Sequence, residues 1–227
     1  MGISFHRHQF GWSICILVFS IGLFSPAVCV DQTGNQFLSQ LEQDVVAENN
    51  RARQNPHQFA TYLEQRRAFY IGKQYKPLEG TIIRTKEGLR AVDEAIRFLR
   101  NATPLQSLEA NEGLSRAAKD HVDDQSVSGK TGHIGSDGSE PFERLKRYGT
   151  IGGFSGENIS YGLNAARGIV ISLIIDDDVP SRGHRKLIFT REFQQVGVAC
   201  GYHPIFQHMC VITFASTFSQ FKHGSMK

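Results

Sequence analysis

The sequence predicts an α+β fold in which helices pack against a central antiparallel sheet. Two observations carry this expectation. Apolar residues recur at helical spacing through several segments as far as Ile175. Two short apolar runs, Val196 to Ala199 and Val211 to Ala215, then flank Gly201-Tyr202-His203-Pro204, the pattern of a strand hairpin. The 227 residues contain no linker rich in Pro, Gly and Ser, which fits one globular domain behind an export signal.

The signal comes first. His6, Arg7 and His8 give a weakly basic start, and Trp12 to Phe24 is an apolar run of the length found in secretory leaders. Cleavage after Ala27 or Cys29 satisfies the small-residue rule, so residues 1–29 read as a leader. The run is shorter than the roughly 20 residues of a spanning helix, so no membrane span is expected after its removal.

The elements follow in order. Phe37, Leu41, Val45 and Val46, then Ala52, Phe59, Tyr62 and Leu63, lie at helical spacing, and Asn55-Pro56 divides them into two helices. Thr81-Ile82-Ile83 is a short strand candidate. Thr85-Lys86-Glu87 opens an amphipathic helix that turns Leu89, Val92, Ile96 and Leu99 inward. Asn111 or Ser107 caps the next helix, whose stripe of Leu114, Ala117, Ala118, His121 and Val122 makes His121 a hydrogen-bonded core residue rather than a ligand. Glu140-Pro141-Phe142 starts another helix through Leu145 and Tyr148. Ala165 to Ile175 is a helix, and Gln195 to Gly201 and Cys210 to Phe218 are strands.

A leader ending at Cys29 leaves two cysteines, Cys200 and Cys210. Their placement suits a cross-strand disulfide in an oxidising compartment, with two buried free thiols as the alternative.

With 25 Lys plus Arg against 22 Asp plus Glu and no basic stripe with interleaved aromatics, nucleic acid is not an expected partner. The chemistry-bearing residues sit in three separated motifs: Thr131-Gly132-His133, Ser155-Gly156-Glu157-Asn158-Ile159 and Ser181-Arg182-Gly183-His184-Arg185. Two histidines and a glutamate suffice to hold a divalent cation, and three protein ligands leave a position open for water or substrate. His133 is expected in a loop, and Glu157 on a tight turn beside an amide able to fix it. Ser155 is not read as a hydrolase nucleophile, because the elbow's final glycine is missing and no strand is expected before it. Arg182 and Arg185 beside His184 also permit an anion site, or a positive turn pairing with Asp176-Asp177-Asp178.

These motifs, with Glu48-Asn49-Asn50-Arg51-Ala52-Arg53, Leu114 to His121, Phe142-Glu143-Arg144-Leu145 and Gln195 to Ala199, make residues 38 to 217 resemble the superfamily of cysteine-rich secretory proteins, antigen 5 and pathogenesis-related proteins, known as CAP. The resemblance implies helix, sheet and helix layers in one domain, with residues 66–101 as an inserted elaboration and 218–227 as a short tail. It implies that His133, Glu157 and His184 are the cavity residues and metal ligands, for zinc or another divalent cation. Many secreted members carry a second glutamate in a Trp-containing helix. Here Ile174 to Pro180 fills that region, and Asp177 is the candidate substitute.

The function implied is a secreted or periplasmic binding module with grooves for a lipid, sterol, glycan or protein partner. A zinc-dependent hydrolase using the same cavity is the alternative, with a nearby carboxylate as base. A third reading makes the cavity a structural staple.

Overall fold

The computed structural model describes residues 37–77 and 82–222, so the expected leader lies outside the described residues. The helix α1 (Gln40–Gln54) begins at a capping box, in which the Ser39 hydroxyl accepts from the Glu42 N–H and Glu42 returns the bond to the Ser39 N–H. Glu42 also accepts from the Cys200 N–H at 2.8 Å, which ties the start of α1 to the sheet. The expected break is present, with α2 (Pro56–Arg67) taking Pro56 in its first turn, where its missing N–H costs nothing.

Residues 66–101 contain more strand than the sequence suggested. The strands β1 (Tyr70–Ile71), β2 (Gln74–Tyr75) and β3 (Ile83–Arg84) form a small antiparallel sheet. The expected strand at 81–83 is therefore Ile83–Arg84, and Thr81 lies outside the described residues. Two-residue strands have too few residues for an alternation to be visible beforehand. Next, α3 (Leu89–Asn101) buries Ala91, Val92, Ala95 and Leu99.

The central sheet has the order β4-β6-β7-β5, built from β4 (Glu109–Ala110), β5 (Gly149–Tyr161), β6 (Gln195–His203) and β7 (Gln207–Gln220). Among the described residues only β4 pairs in parallel, with β6; the other pairings of this sheet are antiparallel. Strand β7 continues to Gln220, so the sheet extends into the stretch expected as a tail. Cys200 lies opposite Cys210 in the register and the two are bonded at 2.03 Å, as the hairpin reading expected.

The helices α4 (Glu112–Ser128), α5 (Pro141–Lys146), α6 (Ala166–Ile175) and α7 (Gly183–Ile188) complete the layers. Asn111 caps α4 by accepting from the Leu114 N–H. Side chains alternate across the sheet. Val196, Val198, Cys210, Ile212 and Phe214 pack with α1, α2, α3 and α6. On the other face, Ala199, Met209 and Val211 pack with Ala118 and Val122 of α4, and Ala215 packs with Leu145 of α5. Helix α4 lies so close to β6 that a Cβ on Gly197 would stand 2.2 Å from the Leu114 carbonyl carbon. Only glycine fits there.

One prediction fails instructively. Gly156-Glu157-Asn158 is not a turn; it lies inside β5, and Ser155 lies in that strand as well. Gly149, Gly152, Gly153 and Gly156 dilute its strand propensity, but β5 pairs with β7 from Gly149 to Tyr161, and tertiary pairing overrides the local preference. The register shifts between Gly152 and Ser155, where Gly153 takes φ +74°.

Candidate functional site

The alternation of β5 decides where each candidate residue goes. Glu157 lies opposite Thr213, whose hydroxyl donates to the Leu114 carbonyl of α4, so Glu157 belongs to the α4 and α5 face. Asn158 lies opposite Ile212 and belongs to the α6 and α7 face. Its side-chain amide donates to the His184 carbonyl at 3.1 Å.

On the first face the Glu157 carboxylate is buried and engaged at both oxygens. Arg144 donates to its two oxygens at 3.1 and 2.9 Å, and His133 Nδ1 stands 2.9 Å from Oε1. Arg144 is as buried as Glu157 and also donates to the carbonyls of Ser139 and His133, so one guanidinium joins α5, the 129–140 loop and the sheet. His133 sits in that loop, as expected. Beneath it, His121 Nε2 and the Gln125 amide converge on the Gly132 carbonyl at 2.8 and 2.6 Å. The Tyr161 hydroxyl donates to Gln125 and accepts from the Gly132 N–H. Burial pushes the His121 imidazole below its ordinary pKa, so it is a neutral core residue, as the sequence indicated.

On the second face His184 pairs with Asp176, not Asp177. Its Nδ1 lies 2.6 Å from Asp176 Oδ1, while Asp176 Oδ2 accepts the backbone N–H groups of His184 and Arg185 at 2.9 and 3.3 Å. Asp176 caps α6 in the left-handed conformation, with φ 58°, and this turns its buried carboxylate under α7. The Asp177 carboxylate is spent elsewhere, accepting the N–H groups of Lys86 and Glu87 at 2.7 and 2.8 Å. Asp177 thus fastens the start of α3, and it also stands among the residues lining the cleft that contains His184.

The arginines flanking His184 are clamps. Arg182 donates to both carboxylates of Glu87 and Glu94 and to the carbonyls of Asp176 and Val179. Arg185 pairs with Glu94 and donates to the Ile174 and Ile175 carbonyls. The acidic run 176–178 is therefore not their ion partner. Arg182 has all three of its nitrogens committed to these groups, and Arg185 is already neutralised by Glu94.

The proposed zinc ligands do not assemble. Among the described residues no group of three or more His, Cys, Asp or Glu side chains gathers closely enough to hold an ion. Glu157 is held by a guanidinium, and His184 rises on the other side of β5. That donor set does not fit a three-ligand metal centre.

His184 and Asp176 are among the residues that line a cleft of about 920 Å³. Tyr70, Tyr75 and Ile83 of the small sheet form one wall, and Tyr161, Leu163, Ile205 and Phe206 form the other, above Leu173 and Ile175 of α6. The Arg66 guanidinium carbon stands over the Tyr75 ring, 3.8 Å from its centroid. The small sheet absent from the sequence reading is thus a wall of this cleft.

The model of the cysteine-rich secretory protein family, CAP, matches residues 89–214, more than half of the chain. The chain belongs to this family. The match begins at the first residue of α3 and leaves α1, α2 and the small sheet outside it. No curated protein matches the CAP chain. Similar solved structures include an outer surface protein from Borrelia burgdorferi, 18% identical over 49% of this chain and 78% of that one, with a TM-score of 0.42. An extracellular protein containing a SCP domain from Bacillus anthracis is 19% identical over 56% of this chain and 39% of its own, at 0.39. A cysteine-rich secretory protein from Staphylococcus aureus is 15% identical over 56% and 37%, at 0.36. The chain spans about two fifths of the length of the last two.

Sequence reasoning missed Arg144 and Asp176 as partners of the cavity residues. Arg144 was visible only as part of the Phe142 to Leu145 motif. Asp176 had a usable signal, since it directly follows the apolar run Ile169 to Ile175 and so falls at the helix C-cap.

Proposed function

We propose that this CAP protein is a secreted binding module that seats an apolar ligand, a lipid or sterol, in the cleft between the small sheet and the β6 to β7 hairpin. The observation that supports this reading is the cleft itself, whose aromatic and aliphatic walls are interspersed with polar groups at Arg66, Arg84, Asn164, Gln207, Asp176 and His184. Ile83, Ile205 and Phe206 remain exposed at its sides, the last at 42%, and each would lose water contact when a ligand enters. The export signal read from residues 1–29 and the Cys200–Cys210 bond both suit an extracellular or periplasmic location. Among the described residues no helix is long and apolar enough to cross a membrane.

The test is equilibrium binding of a fluorescent fatty acid and of a fluorescent sterol, each delivered from phosphatidylcholine vesicles. Ile83→Ser and Phe206→Ser should each weaken binding about tenfold, the loss expected from one apolar side chain. Phe154→Ser, on the exposed part of β5 away from the cleft, should leave it unchanged. Binding that neither cleft variant weakens, or no binding of either probe, would remove this reading.

A further inference from the structure

The resemblance implied one centre made of two histidines and a glutamate; the structure assigns them to two separate devices. We infer that Glu157, Arg144 and His133 staple a loop to the sheet, whereas His184 and Asp176 form a metal-independent dyad that offers its second ring nitrogen to the cleft.

The division follows from the chain's own geometry. Adjacent residues of a strand point to opposite faces, so Glu157 and the Asn158 that bonds to His184 cannot serve the same face of β5. Both oxygens of Glu157 are already engaged by a cationic partner or an imidazole. Its oxygens accept two bonds from Arg144 and face His133 Nδ1, and a buried guanidinium next to a would-be ligand opposes a second positive charge. Three elements meet at Arg144: the loop carbonyls of Ser139 and His133, its own helix α5 and the strand carboxylate. That is a staple for the 129–140 loop.

His184 shares with His133 a buried carboxylate at Nδ1 and differs in the face of β5 on which it stands and in the cleft it lines. Its carboxylate partner is buried and accepts at Nδ1, so Nδ1 carries a proton and Nε2 is the nitrogen free for other contacts. His184 lines the cleft, and its side chain is partly exposed, whereas His133 and Glu157 are not among the lining residues. An imidazole held in one tautomer by a buried aspartate can accept a proton or hydrogen bond from a ligand hydroxyl, or give one back when charged, with no metal involved. The part of this inference that concerns ligand contact rests on the cleft reading above. The separation of the two histidines does not.

The experiment is a zinc titration of the full chain, exported so that its disulfide forms, by calorimetry and by ¹⁵N NMR of the imidazole nitrogens. Wild type, His133→Ala and His184→Ala are compared. The expected result is that zinc affinity, where measurable, changes by no more than about twofold in one or both variants. Added zinc should not shift both imidazoles together, and His184 should show the Nδ1–H tautomer. A one-equivalent zinc site abolished by both substitutions, or concerted zinc shifts of both rings in the wild type, would overturn the inference. The NMR arm needs no variant, so it decides the question even if a substitution unfolds the chain. Addition of the fluorescent sterol should move the His184 Nε2 resonance and leave that of His133 in place. If sterol binds and moves neither ring, the dyad's ligand role fails while the cleft reading survives; if sterol does not bind, the cleft reading fails and the zinc arm still judges the division.

Discussion

If Glu157 is a staple, removing its charge should cost stability in proportion to the burial of its pair. Both side chains of the Glu157–Arg144 pair are 2% exposed, and the shortest contact is 2.9 Å. At an effective dielectric constant of 20, opposite charges about 4 Å apart attract by about 4 kcal/mol. Breaking a buried pair from one side also leaves the remaining charge without its partner, and such losses run to about 3–5 kcal/mol. Glu157→Gln keeps the shape but turns an amide against the guanidinium. It should therefore lower stability by about 3–5 kcal/mol, or about 6–20 °C in melting temperature for a domain of this size. The assay is reversible urea and thermal unfolding by circular dichroism on Glu157→Gln, Arg144→Met, Glu157→Leu and the Arg144→Met/Glu157→Leu double variant. The double variant should be more stable than either of its singles, because it removes both charges along with the Arg144 Nε, which is buried without a partner. Single substitutions that each cost under about 1 kcal/mol, or that simply add in the double variant, would refute the staple.

Two further outcomes follow from the same contacts. The bond between Cys200 and Cys210 closes a loop with a sequence separation of 10, so the double Cys→Ser variant should lose about 2–3 kcal/mol, read as a lower urea midpoint. Hydrogen bonds from Arg182 hold the carboxyls of Glu87 and Glu94 down to about 2, aided by the Asp178 N–H at Glu87 and by Arg185 at Glu94. Folded-state values below the ordinary 4.5 mean that this contribution is complete above pH 4.5 and is lost as pH falls towards about 2. Arg182→Met should flatten the melting temperature against pH across that window; an unchanged slope would show that the clamp contributes nothing there.

The helices and the final hairpin were legible because each carries its own local signal. Asn55-Pro56 marks a boundary that no single helix crosses, Asn111 supplies a cap, and the paired apolar runs around Gly201 to Pro204 fix the register that sets Cys200 against Cys210. Strand β5 was not legible. Its glycines carry no alternation to read, and what holds it is the long ladder with β7, a partner about 60 residues away in the chain.

That one omission also hid the meaning of the cavity motif. On a turn, Glu157 and Asn158 could be aimed at one centre; on a strand they are divided between two faces, and the histidines linked to them are divided as well. The position of the missing carboxylate turned on one residue for a related reason. Asp176 and Asp177 are indistinguishable as composition, but only the first stands at the left-handed cap of α6, where its carboxylate meets the first N–H groups of α7 and the His184 ring. The second, one position further, meets the start of α3 instead and ties down the segment whose small sheet walls the cleft. The run Asp176-Asp177 therefore joins the dyad to the wall through adjacent residues. Displacing either carboxylate should disturb the seat of the ligand, Asp176 through the histidine and Asp177 through the wall.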